Sequence, residues 1–409
     1  MVNASMVRNV FALVLLAVPA SVARADVIME WNARADAIAT DKRLLPPAHG
    51  RVLAMMHVAM FEAVNAIERR YMPYRLKLVA DKKTSGDTAA AAAGHDILVA
   101  LFPDQKPALD ALLAETLSRV EDGPARERGV ILGRKAAEGI LELRRSDGSE
   151  VAESYRPFTK PGAYVPTALP VSSTVSSYKP WVMSSAAQFR PPGPPALTSE
   201  TWTRDVNEIR EIGGVDSRTR SAEQTDIAKF WFLAGPRTFN PIVQQVAAHQ
   251  QMDLLDCARL YALASVAAAD AFIAVFDAKY TFNFWRPVTA IRNADLTGNP
   301  ATPRDAGWLP LGETPMHPEY PCAHCITSAA VTAVLLGVVG KDVGEITLTS
   351  PTAPGVVRRW TNLEDYRDEV SNARVWAGFH YRFSTEVGKD MGKKIGELTV
   401  ATQLRPMKR

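Results

Sequence analysis

Cysteine is nearly absent from this chain: Cys257, Cys322 and Cys325 are the three thiols among 409 residues. Three are too few for a disulfide framework, and an odd number leaves at least one without an internal partner, so stability must come from packing. A dominant charge sign is also lacking. The 47 Lys and Arg residues exceed the 44 Asp and Glu by a formal +3, which is too weak an imbalance to draw in nucleic acid. Long apolar runs are scarce in the interior of the sequence. Residues 261–276 and 325–340 come nearest, but both fall short of the roughly 20 apolar residues a bilayer requires, and the first contains Asp270. No integral membrane segment is expected. The 47% hydrophobic and 22% charged residues make an ordinary globular composition.

The first 25 residues are set apart by a basic Arg8, an apolar run over 10–18 and the small-residue pattern Ala23-Arg24-Ala25. This is the pattern of a secretory signal peptide. It predicts cleavage before Asp26 and a periplasmic or secreted mature protein.

In the first part of the mature chain, Leu53, Met56, His57, Met60, Phe61, Val64 and Ile67 recur at helical spacing on one face. His57 lies on that apolar stripe and reads as a core histidine rather than a ligand. Further helices are expected over 88–101, 106–120 and 125–145, punctuated by Pro103, Gly123-Pro124 and Gly148, so 26–156 reads as a helical bundle. Nine of the 28 prolines lie between Pro157 and Pro195, a density that cannot sustain helix. Residues 157–198 are therefore expected to be an irregular connection, packed over a surface through Tyr164, Tyr178, Trp181, Val182 and Phe189. Helix resumes near Thr201 and stops at Gly213-Gly214, and Ser221-Ala222-Glu223-Gln224 has the form of a capping box opening a helix to Gly235-Pro236. A long Ala-rich helix over 241–280 and helices near 324–339, 363–379 and 385–404 complete a C-terminal domain, 199–409. No strand ladder or fixed-period repeat stands out, and the expected fold class is all-α, built of helical bundles.

Three short segments carry chemistry. In Lys279-Tyr280-Thr281-Phe282-Asn283-Phe284-Trp285-Arg286-Pro287, a Lys and an Arg seven residues apart would share a face of a helix that Pro287 stops. In His317-Pro318-Glu319-Tyr320-Pro321-Cys322-Ala323-His324, a Pro-rich turn delivers a histidine to the start of an apolar helix, where anions are favoured. In Arg374-Val375-Trp376-Ala377-Gly378-Phe379-His380, Arg and His on one helix could flank a ligand, with Gly378 leaving room for its approach. Two or three cations beside two histidines suit a tetrahedral oxyanion. Arg offers paired planar donors and Lys a point charge, while a neutral imidazole can be ligand or nucleophile and a second can move a proton near neutral pH.

In this order the three segments resemble the vanadium-dependent haloperoxidase and type 2 phosphatidic acid phosphatase superfamily. Its pattern is Lys-x6-Arg-Pro, then Pro-Ser-Gly-His, then Ser-Arg-x3-Gly-x-His-x3-Asp. The run from Arg51 through His57 to Ile67, and that from Phe284 through Trp285, Arg286 and Pro287 to Arg292, are similar to soluble bacterial haloperoxidase-like proteins. The resemblance implies vanadate as cofactor, with phosphate as an alternative occupant. Lys279, Arg286 and Arg374 would hold its oxygens together with the segment at Cys322 and Ala323, His324 would be the acid-base histidine, and His380 would bond the vanadium. It further implies hydrogen peroxide and halide as substrates, with Lys279 polarising the peroxide. His317 and Trp285 would form the halide or substrate pocket, and His317, seven residues before His324, points to bromide over chloride. The alternative within the superfamily is a soluble acid phosphatase, taking a phosphoester at a phosphorylated His380.

The chain departs from the pattern at four positions. Cys322 and Ala323 replace the motif's Ser and Gly, Ala373 its first Ser, and Ser384 its last Asp. A hydroxyl donor thus becomes a poor S–H donor, and the carboxylate expected to orient His380 is missing at its usual place, which counts more heavily against a phosphoryl-accepting histidine than against a metal ligand. Asp226 or Glu223 is a candidate partner for His324. Two further readings remain open: a thiol redox site at Cys322-Ala323-His324-Cys325, and an oxyanion-binding protein without turnover.

Overall fold

Several helices open on a proline or a side-chain cap, and some end where the backbone turns left-handed. The computed structural model describes residues 27–166 and 168–407, so the expected signal peptide and its expected cleavage point lie outside the described residues. The N-terminal half contains α1 (Val27–Asp41), α2 (Pro46–Glu68), α3 (Gly86–Leu101), α4 (Lys106–Ser118) and α5 (Pro124–Leu143). Prolines stand in the first turn of α2, α4 and α5, where the missing N–H costs nothing. The C-terminal half contains α6 (Glu200–Ile212), α7 (Ala222–Phe230), α8 (Asn240–His249), α9 (Leu254–Phe282), α10 (Pro287–Arg292), α11 (Ala323–Val339), α12 (Leu363–Trp376) and α13 (Arg382–Thr402). The Ser221–Gln224 capping box forms as expected.

Helix α9 is the axis of the molecule. The continuous Ala-rich helix expected over 241–280 is divided, because Gln251 is left-handed at φ 49° and Asp253 caps a fresh start by accepting the Asp256 N–H. At 29 residues α9 is also longer than the apolar run suggested and long enough to span a bilayer, yet 94% of its most apolar window is buried within the protein. It packs between α2 on one side and α11 and α13 on the other. One core cluster therefore runs from Val27 to Leu404 and joins both halves. His57 is fully buried there, its Nδ1 2.7 Å from the Ser265 hydroxyl, and burial pushes its pKa down to about 3.

Between Pro157 and Pro195 the described chain is irregular apart from a short 3-10 turn at Val175–Ser177. Besides the Arg190–Asp277 pair and the Tyr280 hydroxyl on the Val171 carbonyl, a buried carboxylate ties it to α9. Asp270 accepts the backbone N–H groups of Trp181, Val182 and Met183 at 2.7, 2.8 and 2.8 Å. Burial pushes the Asp270 carboxyl up to about 6, against the opposing pull of those three N–H donors.

The expectation of no strand ladder is corrected by a two-stranded antiparallel hairpin, β1 (Ile346–Ser350) and β2 (Ala353–Trp360), with Ile346 opposite Trp360 and an irregularity at Thr349/Ser350. Ile346, Leu348 and Ser350 alternate inward on β1, the period-2 signal that so short a segment displays faintly. The fold remains predominantly helical. Helices α11 and α13 lie closest, because Gly388, Gly392 and Gly396 form a ridge without side chains. A Cβ at these positions would stand 2.7, 2.1 and 2.4 Å from the carbonyl oxygens of Cys322, Ile326 and Ala330.

Candidate active site

Lys279 and Arg286 do not share a helix. α9 ends at Phe282, Asn283 turns left-handed at φ 47°, and Arg286 sits in extended backbone with Pro287 opening α10 rather than stopping α9. The Pro-rich connection holds this bend: Tyr164 N–H donates to the Asn283 carbonyl at 2.8 Å, and Trp285 N–H to that of Gly162 at 3.0 Å. Both cations are consequently driven inward. Lys279 is fully buried and its Nζ donates to the carbonyls of Pro318 and Glu319 at 2.9 and 2.8 Å. Arg286 spreads across the site, with Nε on the His317 carbonyl at 2.9 Å, Nη1 on the Phe379 carbonyl at 2.9 Å and on His380 Nε2 at 3.2 Å, and Nη2 on His317 Nδ1 at 3.0 Å.

Nor do Arg374 and His380 share a helix. α12 ends at Trp376 and the chain reverses at Gly378, φ 80°. Gly378 serves backbone packing rather than ligand approach, since a Cβ there would lie 2.5 Å from the Gly213 carbonyl oxygen. This reversal returns His380 towards Arg374. The Arg374 guanidinium donates through Nη1 to the Trp231 carbonyl at 2.5 Å and lies over the Phe379 ring at 4.9 Å, while its buried Nε has no partner.

A carboxylate does reach His380. Glu319, fully buried, accepts the His380 Nδ1–H at 2.7 Å and the Tyr381 N–H at 3.2 Å. Ser384, at the position of the motif's Asp, is fully buried, and neither its hydroxyl nor Glu319 Oε2 has a hydrogen-bond partner among the described residues. Glu319 thus supplies from the second segment what the third lacks. With Nδ1 donating, Nε2 keeps its lone pair and points at the Arg286 guanidinium. His324, second residue of α11, is held by Nε2–H donation to the Leu233 carbonyl at 2.9 Å, which leaves Nδ1 as its lone pair. The carboxylate expected there from Asp226 or Glu223 does not bond it, and Glu223 instead stands 3.6 Å from Arg358.

His317, Ala323, His324, Arg374 and His380 line one cleft of about 600 Å³. Trp285 does not line it. It is 2% exposed and stacks on Trp202 at 6.0 Å, in an aromatic cluster with Phe284 and Tyr381, so it supports the fold beneath the site rather than forming a substrate pocket. Cys322 is also withdrawn from the cleft: it caps α11, its Sγ accepting the Cys325 N–H at 3.3 Å. Burial raises the Cys322 thiol, but the hydrogen bond from Cys325 and the Arg374 charge outweigh it and bring the pKa down to about 7. All three thiols are buried.

The electrostatics are unbalanced. Lys279, Arg286 and Arg374 face a single carboxylate, Glu319. Burial holds Lys279 well below its usual value, reinforced by Arg286, and lowers Arg374. Arg286 falls to about 10 by burial, although Glu319 pulls it back. Burial lifts Glu319 to about 8 against the pull of Lys279 and Arg286. His317, His324 and His380 are all held well below the usual histidine value, first by burial and then by the neighbouring cations. Neutral imidazoles beside excess cations form a site that an anion would complete. Glu319 is the functional residue missed in the sequence, where its only signal is an acid buried in an otherwise apolar, Pro-rich turn.

Residues 259–409 match the family model of the VCPO second helical-bundle domain. In this part the chain is similar to the vanadium haloperoxidases. It is 26% identical over 270 residues to the vanadium chloroperoxidase of Curvularia inaequalis, an alignment covering 49% of this chain and 43% of that protein, so the chain spans less than half the length of that relative. Among solved structures, a bacterial vanadium-dependent iodoperoxidase superposes with a TM-score of 0.80 at 25% identity over 93% of this chain and 98% of its own. A holo-type bacterial vanadium-dependent chloroperoxidase shares the fold, with a TM-score of 0.67 at 17% identity over 88% of this chain and 92% of its own. These likenesses agree with the family resemblance read from the three motifs.

Proposed function

We propose that this chain is a vanadate-dependent haloperoxidase that uses hydrogen peroxide to oxidise halide, bromide in preference to chloride. The observation that carries the reading is the polarised His380: Nδ1 bonded to Glu319, Nε2 presented among three buried cations. The residues fit vanadate, since the unpartnered Arg374 Nε offers a donor and His380 Nε2 a lone pair. Lys279, Arg286 and Arg374 would hold its oxygens and His380 Nε2 its metal. When bound, vanadate supplies a Lewis-acidic centre that activates peroxide without itself changing oxidation state. Glu319 keeps the His380 proton on Nδ1, and the cations offset the anion's charge in a region that excludes water. His324, neutral with Nδ1 free, accepts a proton from the incoming peroxide side and returns it to the leaving oxygen. His317, held by Arg286, borders the space a halide would enter. The likeness to an iodoperoxidase supports the more easily oxidised halides.

The Glu319–His380 pair also favours a second reading. It removes the objection that a phosphohistidine would lack its carboxylate, so a phosphatase acting on a phosphoester at His380 has the required geometry. Assaying halide oxidation by peroxide on the purified mature chain reconstituted with orthovanadate, and phosphate release on a vanadate-free portion of the same protein, separates the two. Halide oxidation is the expected result; phosphate release alone would establish the phosphatase, and oxyanion binding with neither activity would leave a binding protein. Export, read from residues 1–25, is part of the proposal, and mass spectrometry of the mature N-terminus should place it at or near Asp26.

A further inference from the structure

Two thiols meet at the head of α11. Cys322 is its N-cap and Cys325 stands three residues on, so their side chains lie over one turn of backbone; the Cys322 Sγ is folded back far enough to accept the Cys325 N–H at 3.3 Å, and the Cys325 S–H donates to the same sulfur. Gly388 of α13 covers the pair. A Cβ there would lie 3.1 Å from that of Cys325 and 3.5 Å from that of Cys322, so both side chains face one point and nothing bulky fits beside them. The two intervening residues, Ala323 and His324, line the cleft. One turn of helix therefore parts the sulfurs from the cleft.

From this geometry, resting on the oxyanion site proposed above but not on halide oxidation, we infer that Cys322 and Cys325 are a modification site: hydrogen peroxide closes them into a disulfide, and closure strengthens oxyanion binding at Arg374. Sulfurs already in hydrogen-bond contact have little distance left to the roughly 2 Å of a disulfide bond. A mixed disulfide with a bulky thiol, in contrast, has no room beneath Gly388. The two thiols also differ in kind. Burial raises Cys322, but the bonds from Cys325 and the Arg374 and Lys279 charges outweigh it and bring the pKa to about 7, while burial and Cys322 hold Cys325 well above the usual thiol value. Cys322 is thus the nucleophile and Cys325 the thiol that resolves it.

Atoms and electrons balance. The Cys322 sulfur attacks one peroxide oxygen, the O–O bond breaks, and the departing hydroxide takes the thiol proton, leaving a sulfenic acid and water. The Cys325 sulfur then attacks the sulfenic sulfur, the S–O bond breaks, and hydroxide leaves with the Cys325 proton as a second water. Two thiols and one hydrogen peroxide become a disulfide and two waters, the sulfurs losing two electrons to the peroxide.

The consequence is electrostatic. Cys322 faces Arg374 of α12, Lys279 of α9, Arg286, Glu319 and Cys325, and its own N–H donates to the Ser384 carbonyl of α13 at 3.3 Å. As a thiolate it offsets part of the charge on Arg374, the guanidinium whose buried Nε has no partner. A disulfide carries no charge and leaves Arg374 wholly to an entering anion.

The test uses the vanadate-free mature chain, reduced with a phosphine, desalted and treated with hydrogen peroxide. Peptide mass spectrometry after alkylation should find Cys322 and Cys325 joined, both thiol hydrogens lost, and Cys257 still alkylated. In calorimetric titration with inorganic phosphate the oxidised protein should bind up to about tenfold more tightly than the reduced at pH 8 and less than about twofold at pH 6, because only at the higher pH must a thiolate of pKa about 7 take up a proton to admit the anion. Phosphine should reverse the gain. Cys325→Ala, with Cys325→Ser as a second variant, should keep a cooperative thermal transition and show no reversible gain. Recovery of both thiols unmodified, or sulfinic acid at Cys322 in place of the disulfide, would overturn the modification site. A disulfide without tighter phosphate binding at pH 8, or the same reversible gain in the folded Cys325 variants, would overturn its effect on the anion. Absence of phosphate binding in either redox state would overturn the oxyanion site itself, and with it that effect, while halide oxidation is read by none of these measurements.

Discussion

Nine residues apart on α9, two ionic side chains are buried to the same degree with opposite results. Asp270 is met by three backbone N–H donors that satisfy it from within the chain. Lys279 borrows two carbonyls and stands beside two further cations and one carboxylate. The first neighbourhood is closed; the second has donors and charge to spare. Burial of a charge thus says little about function, whereas the sign and size of what remains uncompensated say a good deal.

The comparison can be broken most directly at His380. His380→Ala should abolish halide oxidation and phosphate release together, while His324→Ala should retain vanadate binding and lose about a hundred- to ten-thousand-fold in rate, as expected for a lost proton transfer. Full activity in His380→Ala, measured on vanadate-loaded protein, would end the assignment of the site. Next in size is Glu319→Gln, which should weaken vanadate binding about 10- to 100-fold in equilibrium dialysis, the usual cost of losing the partner that orients a ligand histidine. At the closed centre, Asp270→Ala should strand three buried N–H groups and cost about 3 kcal/mol in denaturant unfolding. The folded fraction of that variant should bind vanadate as wild type does; a large loss of affinity would show that the two centres are not independent.

A smaller effect comes from pH. His57, His317, His324 and His380 are all depressed in the fold. Below about pH 6.5 the unfolded chain takes up protons that the folded chain refuses, so each costs up to about 1.4 kcal/mol of stability per pH unit as pH falls towards its folded value. The melting temperature should fall from pH 6.5 to 5, and saturating phosphate should raise it at pH 7. The smallest effect is expected at Cys322→Ser. The sulfur only caps α11, and a hydroxyl caps at least as well, so vanadate affinity should hold or rise slightly. A large loss under reducing conditions would give the sulfur a role of its own.

Local signals made much of this legible in the sequence: the apolar stripe of α2, the capping box of α7, the proline density after Pro157, and three motifs whose histidines and cations meet in one site. Tertiary reversals were not legible. Lys279 and Arg286 looked like neighbours on a helix, but the left-handed Asn283 parts them, and Arg374 and His380 are brought together by the turn at Gly378 rather than by helical periodicity. Glu319 escaped notice because its partner is 61 residues away. Trp285 was misread because an aromatic beside a motif looks the same whether it faces a cleft or a core, and here Trp202 covers it. The hairpin was missed because each strand is too short to outweigh its helical surroundings.

The glycine ridge of α13 turns a packing detail into a gauge of catalytic distance. His324 rides at the head of α11 and His380 stands two residues before α13, so the gap between the proposed proton carrier and the proposed vanadate ligand depends on how near the two backbones stand. Gly392→Ala, a methyl group added midway along the 21-residue α13, should therefore read out in turnover as though the site itself had been touched. Selection on such a spacer would act on activity, even though the residue meets neither substrate nor cofactor.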